Sequence, residues 1–262
     1  MCVTGNERTI YALRLILNSA RQFGFDPIVF VKAIKALPRY VKQVVLFRVS
    51  NLRSTLRIAP ALQDYKASAG SSDGHYFWQD LLCAQWINEE NPSRHFDVGS
   101  RIDGYIAHLL SFREVTLLDI RENPLKIPGL TVVTGDAQES LTGFQNSFDS
   151  VSSLHSIEHF GLGRYGDKLD PQGHQKGLKN IAECVQLGGH LYVSFPIGKE
   201  EVEFNSQRVL DPLWPIEALS DFELEKFTLI PWRGQPIIET TPQSVDVNIR
   251  GQAGLYKFIR IR

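Results

Sequence analysis

Along residues 27–63 the apolar side chains recur every three or four positions, which is the spacing of one face of a helix. Pro38 falls inside this pattern. Because a proline inside a helix removes a backbone hydrogen bond and crowds the preceding turn, we expect an interruption there. The pattern therefore predicts helical structure near the start of the chain, broken at this proline.

The pattern changes near residue 70. Residues 66–74 are small, polar and rich in Gly and Ser, which is typical of a linker, and Asp73 is placed to cap a following helix. We therefore expect two domains, an N-terminal helical extension over residues 1–70 and a larger domain over residues 71–262.

Beyond the predicted linker, short apolar runs alternate with stretches of helical spacing. The predicted strands cover residues 94–98, 115–120, 130–134, 148–154, 190–195, 224–230 and 255–261. The predicted helices cover residues 75–87, 102–112, 177–186 and 216–220. Residues 187–189, Leu-Gly-Gly, suit a glycine cap for the third helix. Such alternation predicts an α/β fold with a doubly wound, mostly parallel sheet.

Composition narrows the class of protein only a little. The chain has 262 residues, 43% of them hydrophobic, and a net charge of -1. This near-neutral balance argues against nonspecific nucleic-acid binding, so we expect no nucleic-acid partner. Cys2, Cys83 and Cys184 form no metal or disulfide pattern, and no apolar run reaches membrane-spanning length. We therefore expect a cytoplasmic protein.

The near-neutral total hides a basic segment. Residues 27–63 hold seven basic residues, Arg53 among them, and no acidic one. One interpretation is a basic amphipathic segment, residues 28–57, that makes a peripheral contact with a partner protein or with the anionic inner face of a membrane. The other is a solvated helix face that packs on its own domain.

Candidate ligand-binding residues follow the predicted strands, because ligands of such sheets bind beyond the carboxyl ends of the strands. Asp119 lies twenty residues beyond Gly99, the spacing at which a carboxylate accepts hydrogen bonds from a ribose diol. Asp136 could accept from an adenine amino group. Each could instead cap a helix or stabilise its own turn.

The loop after the first strand distinguishes two kinds of nucleoside ligand. It reads DVGSRIDG, in which only Gly99 and Gly104 are glycines and Asp103 adds negative charge. A pyrophosphate needs close approach of backbone amides, so the loop suits it poorly and disfavours a nicotinamide-dependent oxidoreductase. The same loop tolerates a cofactor with a cationic sulfonium.

Five segments together resemble the class I S-adenosylmethionine-dependent methyltransferases. They are FDVGSR, TLLDIR, TGDAQE, FDSVSSLHSIEHFG and QLGGHLYVSFPIG, and the resemblance covers about residues 75–262. Arg101 and Asp103 stand where that family usually has glycine. More narrowly, HYFWQDL, VGSRIDGYIAHLL, LLDIR and SSLHSIEHFGLGRYGD resemble the DUF268 family, whose bacterial members are associated with surface-polysaccharide genes.

The resemblance implies a Rossmann-like, seven-stranded sheet and S-adenosyl-L-methionine as cofactor. It implies methylation of a sugar or surface-polysaccharide intermediate, or else a catalytically degenerate module that docks on a glycan-assembly complex. The cofactor contacts expected from the motifs and the strand ends are Asp97, Gly99, Ser100, Arg101, Asp119, Ile120, Asp136, Ala137 and His155.

The loop after the fourth strand holds the candidate catalytic residues. Methyl transfer to oxygen needs a base, and His155 or His159 suits that role, with Glu158 orienting it. The same residues could help to hold a divalent metal, although their spacing matches no recognised ligand pattern. They could also do no more than fix a polar loop by hydrogen bonds.

Substrate contacts are expected from two further stretches. The expected residues are Arg164, Tyr165 and Asp167 in the glycine-containing loop, and Asn205 and Arg208 beyond the fifth strand. Three residues before the first strand could close over the cofactor or only pack: Tyr76, Gln79 and Asp80.

Overall fold

The chain divides into two compact units, Met1–Ser71 and Ser72–Arg262. This computed structural model describes residues 17, 19–50, 56–63, 72, 74–124, 126–238 and 240–262. Most of the predicted linker lies outside these residues, as do Cys2, Arg53 and Asp73. The expectations for those positions stay predictions.

In the first unit, helix α1 covers Pro27–Ser50 without a break, so the interruption predicted at Pro38 is wrong. A proline removes only one N–H from the hydrogen-bond ladder, and the turns on either side carry the helix past it. Asp26 begins the helix, because its Oδ1 accepts from the backbone N–H of Ile28 at 2.9 Å and of Val29 at 3.2 Å.

The second unit is built on a seven-stranded sheet with the order β3-β2-β1-β4-β5-β9-β8. The strands of this sheet are β1 His95–Val98, β2 Val115–Asp119, β3 Leu130–Thr134, β4 Phe148–Leu154, β5 Val185–Ile197, β8 Phe222–Pro231 and β9 Gln252–Arg260. The strands β6 Glu201–Glu203 and β7 Gln207–Val209 form a separate hairpin. Strands β1 to β5 pair in parallel, and β9 pairs antiparallel with both β5 and β8. The predicted doubly wound, mostly parallel sheet is confirmed.

Short helices connect the strands. They are α2 His75–Glu90, a π-helical turn Ile102–Ile106, α3 Ala107–Leu109, a 3-10 turn Ile157–His159, α4 Gly173–Glu183, α5 Trp214–Ala218 and a 3-10 turn Pro242–Ser244. The helix predicted over residues 102–112 is therefore only the π-helical turn and one short α-helix.

Helix α4 corrects another prediction. It begins at Gly173, four residues before the predicted start, and ends at Glu183. The glycine cap predicted at residues 187–189 is wrong, because these residues lie inside β5. Val185 is fully buried and pairs with Phe148, so the chain enters the sheet directly after the helix.

Both faces of the sheet are covered, as a parallel sheet requires. Alternate residues of β5 divide between two apolar clusters: Leu191 joins the one that includes α4, and Tyr192 joins the one that includes α2. This packing fixes the carboxyl ends of the parallel strands and so positions the site described next. Within the described part of the chain, no helix combines the length and apolar content of a membrane span.

Candidate functional site

Two cavities meet at the carboxyl ends of the parallel strands. The first cavity has a volume of about 110 Å³ and lies against the ends of β1, β2, β3 and β4. The second cavity has a volume of about 770 Å³ and lies between the β6–β7 hairpin, the start of α2 and the loop before β9. Tyr76, His155 and His159 line both.

Most of the predicted cofactor residues line the first cavity. These are Gly99, Arg101, Asp119, Ile120, Asp136, Ala137 and His155. Gly99 has a φ of +75°, and a Cβ atom there would lie 2.1 Å from the Ser156 hydroxyl oxygen. Because any larger residue would be both strained and in collision, the first loop requires glycine at this position.

Asp97 and Ser100 have a different placement from the one predicted. Both are buried behind the first cavity, with no more than 2% of their surface exposed. The Asp97 carboxylate accepts from the Ser100 N–H at 3.0 Å, the Ser100 hydroxyl at 2.8 Å and the Ser152 hydroxyl at 2.5 Å. Burial raises the pKa of Asp97 to about 7. The two side chains therefore hold the loop in shape and do not form its ligand-facing wall.

The carboxylates of Asp119 and Asp136 face the first cavity but already have local partners. Asp119 accepts from the Arg121 backbone N–H at 2.8 Å and from its guanidinium at 2.8 and 2.7 Å. Asp136 accepts from the Gln138 N–H at 2.8 Å. Each aspartate therefore stabilises its own turn and also lies in the wall of the first cavity.

Two arginine–tyrosine contacts narrow the first cavity. The Arg121 guanidinium lies 4.6 Å from the centre of the Tyr165 ring, and that of Arg101 lies 5.2 Å from the Tyr76 ring. Arg101 also pairs with the exposed Asp103 at 2.8 Å. The side chains of both arginines remain more than half exposed, at 54% and 56%, so solvent space exists into which they can turn.

His155 and Glu158 form a buried pair directly after β4. His155 has a φ of +49°, and its Nδ1 lies 2.8 Å from Glu158 Oε1. Because a carboxylate accepts and does not donate, Nδ1 carries a proton, and Nε2 of the neutral ring is then the nitrogen with the lone pair. Among the described residues, neither His155 Nε2 nor Glu158 Oε2 has a hydrogen-bond partner. This arrangement is that of a general base held by a carboxylate.

Helix α2 supplies the packing around His155. His75 stacks on its ring at 5.4 Å with 11° between the planes, and Tyr76 contacts it at 5.0 Å. Burial, and then the neighbouring His155, lowers the pKa of His75 to about 4, so His75 is neutral near pH 7. Sequence reasoning gave His75 no role, although it begins the HYFWQDL segment, because it precedes His155 by eighty residues.

His159, the other candidate base, has a different environment. Its Nδ1 donates to the Ser206 carbonyl at 2.6 Å, and its Nε2 lies 3.8 Å from Glu158 Oε1. Burial lowers its pKa below the ordinary histidine value. The geometry therefore favours His155 as the base and gives His159 the role of joining the loop to the β6–β7 hairpin.

The predicted substrate residues divide into two groups. Arg164 lines the second cavity, and Tyr165 and Asp167 line the first. Asp167 also accepts from the N–H groups of Gly161 and Gly163, at 2.8 and 3.1 Å, so it shapes the loop as well.

Arg208 and Asn205, which were predicted to contact substrate, line neither cavity. Arg208 is 4% exposed and lies behind the cavities, where its guanidinium donates to the carbonyls of Phe160 at 2.5 Å and Glu158 at 3.3 Å. Asn205, with a φ of +62°, occupies the turn of the β6–β7 hairpin. Arg208 therefore supports the loop after β4 from behind.

The sequence left open that residues of the loop after β4 help to hold a divalent metal ion. Within the described residues, no group of three or more His, Cys, Asp or Glu side chains is arranged to hold a metal ion. No residue is therefore assigned to a metal here.

Comparison with known protein families gives a match at the centre of the second unit. The family described as "Caenorhabditis protein of unknown function, DUF268" matches residues 110–224. This confirms the resemblance to DUF268. A comparison with curated proteins gives no match.

Solved structures of other proteins share the fold. The BH2331 protein of Bacillus halodurans C-125, provisionally described as a methyltransferase, is 16% identical with a TM-score of 0.51, over 70% of this chain and 99% of its own. The 1,6-didemethyltoxoflavin-N1-methyltransferase of Burkholderia thailandensis, solved with 1,6-didemethyltoxoflavin and S-adenosylhomocysteine, is 13% identical with a TM-score of 0.51, over 86% and 89%.

A third structure with this fold is described as a different kind of enzyme. The [4+2]-cyclase SpnF is 13% identical with a TM-score of 0.50, over 70% of this chain and 81% of its own. Since proteins of this fold include one described as a cyclase, the reaction has to be argued from the site. The chain thus matches the DUF268 family model over residues 110–224, and its second unit has the class I methyltransferase fold.

Proposed function

We propose that this protein transfers a methyl group from S-adenosylmethionine to a hydroxyl group of a sugar or glycan intermediate. The observation that supports this most directly is the His155–Glu158 pair. His155 lines both cavities, its Nδ1 is held by a carboxylate, and its buried Nε2 has no partner among the described residues. A buried acceptor without a donor is costly, so it points to a hydroxyl that arrives with the substrate.

The first cavity fits a nucleoside cofactor by its chemistry. Asp119 would accept hydrogen bonds from the ribose hydroxyls, Asp136 would accept from the adenine amino group, and Gly99 lets the backbone approach closely. A cavity for such a ligand measures at least about 300 Å³, so binding requires the Arg101 and Arg121 side chains to turn outward. When bound, S-adenosylmethionine supplies an electrophilic methyl group on a positively charged sulfur.

The residues of the chain perform the acid–base part of the reaction. As the acceptor oxygen bonds to the methyl carbon, the bond from that carbon to sulfur would break and its electron pair would stay on sulfur, leaving neutral S-adenosylhomocysteine. The hydroxyl proton would move to His155 Nε2. Glu158 stabilises the resulting imidazolium through Nδ1. His75, neutral near pH 7, contributes no positive charge that would oppose protonation of its stacked neighbour.

The second cavity has the mixed lining that suits a sugar. Tyr76 and Trp232 offer aromatic faces to the C–H faces of a pyranose ring. Arg164, Glu203 and Gln207 offer charged and polar groups to hydroxyls. Because His155 also lines this cavity, a sugar hydroxyl there can reach the base.

The test is methyl transfer to a panel of sugar and nucleotide-sugar acceptors, with mass spectrometry to locate the new group. We expect an O-methyl product from the wild-type chain and none from His155→Asn. Thermal-shift measurements with NAD and NADP serve as the control for the oxidoreductase alternative, and no shift is expected. Transfer by His155→Asn at the wild-type rate, or a large shift with a nicotinamide cofactor, would overturn the proposal.

A further inference from the structure

Helix α1 presents an apolar face that the described structure leaves open. None of its 24 described residues is buried. Phe30, Ile34, Leu37, Val41 and Val45 follow one another at spacings of three or four, which places them on one face, and each is between 42% and 56% exposed. An apolar stripe of this kind normally faces a covering surface.

Four of the five basic residues of α1 lie on a different face. Lys32, Lys35, Arg39 and Lys42 also follow at spacings of three or four, but offset from the apolar residues by about a third of a turn. The sequence has no acidic residue from position 27 to position 63. The fifth, Arg48, follows Val45 by three residues and lies at the C-terminal end of the apolar face. The helix therefore has an apolar face and a separate cationic face, with no negative charge of its own to balance them.

We infer that α1 docks on an anionic lipid surface, with its axis in the plane of the membrane and its apolar face among the acyl chains. The charge pattern selects this occupant, because lysine and arginine beside a buried apolar face can reach the phosphates of anionic headgroups. A second copy of α1 fits less well. Pairing two apolar faces would bring two cationic strips together without carboxylates between them.

The experiment uses the full-length chain and vesicle flotation. Vesicles of phosphatidylcholine alone are compared with vesicles of phosphatidylcholine and phosphatidylglycerol. We expect flotation only with the anionic vesicles, and loss of flotation near 1 M salt, where the Debye length is about 3 Å. Equal flotation with both kinds of vesicle, or none with either, would overturn the inference.

Two variants separate charge from helix formation. Lys32→Glu, Lys35→Glu and Lys42→Glu together should lower partitioning to anionic vesicles at least about a hundredfold, since each lysine near such a surface contributes about fivefold. A matched control reverses three exposed charges of the second unit, at Lys126, Lys179 and Arg233. This control should change partitioning to anionic vesicles less than about threefold. Equal losses in both variants would contradict a site on α1.

A third variant tests the apolar face. Ile34→Ser, Leu37→Ser and Val41→Ser together keep every charge and should also abolish flotation, with circular dichroism to show that helix content is retained. Sedimentation equilibrium of the wild-type chain completes the test. A self-association that the serine variant abolishes, in a chain that does not float, would assign the face to a second copy and overturn the lipid inference.

Discussion

The strand ends on the two sides of the first cavity differ in how their polar groups are satisfied. At the ends of β2 and β3, Asp119 and Asp136 face the cavity with hydrogen bonds already made to Arg121 and Gln138. After β4, His155 Nε2 and Glu158 Oε2 are buried and, among the described residues, have no partner. In the proposed function, the aspartates would exchange their partners when the cofactor binds, whereas His155 Nε2 would gain a first partner.

This difference separates a binding surface from a reaction centre. Exchange of one set of hydrogen bonds for another changes affinity modestly, because both states are satisfied. An unpartnered buried base carries a desolvation penalty in the free protein, which an incoming hydroxyl relieves. Changes at His155 and Glu158 should therefore act mainly on the rate, and changes at the aspartates mainly on cofactor affinity.

The largest effect is expected from His155→Asn, which removes the base and keeps a similar polar volume. The kcat for methyl transfer should fall about 100-fold to 10,000-fold, the usual contribution of a positioned base. Single-turnover kinetics with saturating cofactor measure it. His159→Asn is the matched control, and its kcat should fall less than about tenfold because its ring bonds a backbone carbonyl. A greater loss of kcat in His159→Asn than in His155→Asn would assign the role of base to His159.

Glu158→Gln should come next, with a fall in kcat on the order of a hundredfold, since an uncharged partner neither fixes the Nδ1–H tautomer nor stabilises the imidazolium. Single-turnover kinetics with saturating cofactor measure this fall. An unchanged kcat would show that Glu158 does not act through His155.

Asp119→Asn should weaken binding of S-adenosylhomocysteine about 10-fold to 100-fold, the range for loss of a charged hydrogen-bond acceptor. The kcat at saturating cofactor should change little. Asp103→Asn is the control, because that carboxylate is 73% exposed and pairs only with Arg101 in the described contacts. Calorimetry measures both, and equal losses would remove Asp119 from the ribose site.

Asp97→Asn should change how stability depends on pH. The pKa of Asp97 is about 7 in the folded chain and near 3.8 when unfolded, so between these values the folded state binds the extra proton. Asp97 therefore makes wild-type stability fall as pH rises from about 4 to about 7, by at most about 1.4 kcal/mol per pH unit. Urea unfolding across this range measures the slope for each protein. The difference in unfolding free energy between wild type and variant isolates the contribution of Asp97. If that difference does not vary with pH, the pKa of Asp97 is not raised by burial.

Arg121→Ala should give the smallest effect, and in the opposite direction. Freeing the Asp119 carboxylate and the space beside Tyr165 should tighten cofactor binding up to about fivefold, because an exposed ion pair contributes about 1 kcal/mol or less. Arg101→Ala, which leaves Asp119 paired, is the comparison. Weaker binding in Arg121→Ala would mean that the guanidinium itself holds the cofactor.

The same two regions show what sequence could predict. All seven predicted strands of the sheet exist, because each carries apolar residues that the sheet buries in full or in part, and the aspartates at the ends of β2 and β3 follow from that. The break at Pro38 and the glycine cap at residues 187–189 were wrong, because local residue preferences were outweighed by the surrounding helix and by pairing of Val185 in the sheet.

Side-chain roles inside the site were harder to predict. The sequence indicated that His155 and His159 share a loop, but only the fold shows which ring nitrogen bonds a carboxylate. Arg208 had the charge expected of a substrate contact, yet its burial turns it toward backbone carbonyls. His75 reaches the site through the packing of α2, a long-range contact that no local pattern encodes.

Calorimetric titration of the folded wild-type chain with S-adenosylmethionine tests whether the first cavity binds this cofactor. Every proposed role depends on a nucleoside between Asp119 and Asp136. We expect binding at a single site, weakened about 10-fold to 100-fold in Asp119→Asn and retained in His155→Asn. No binding to a chain that unfolds cooperatively, or equal binding by wild type and Asp119→Asn, would contradict it.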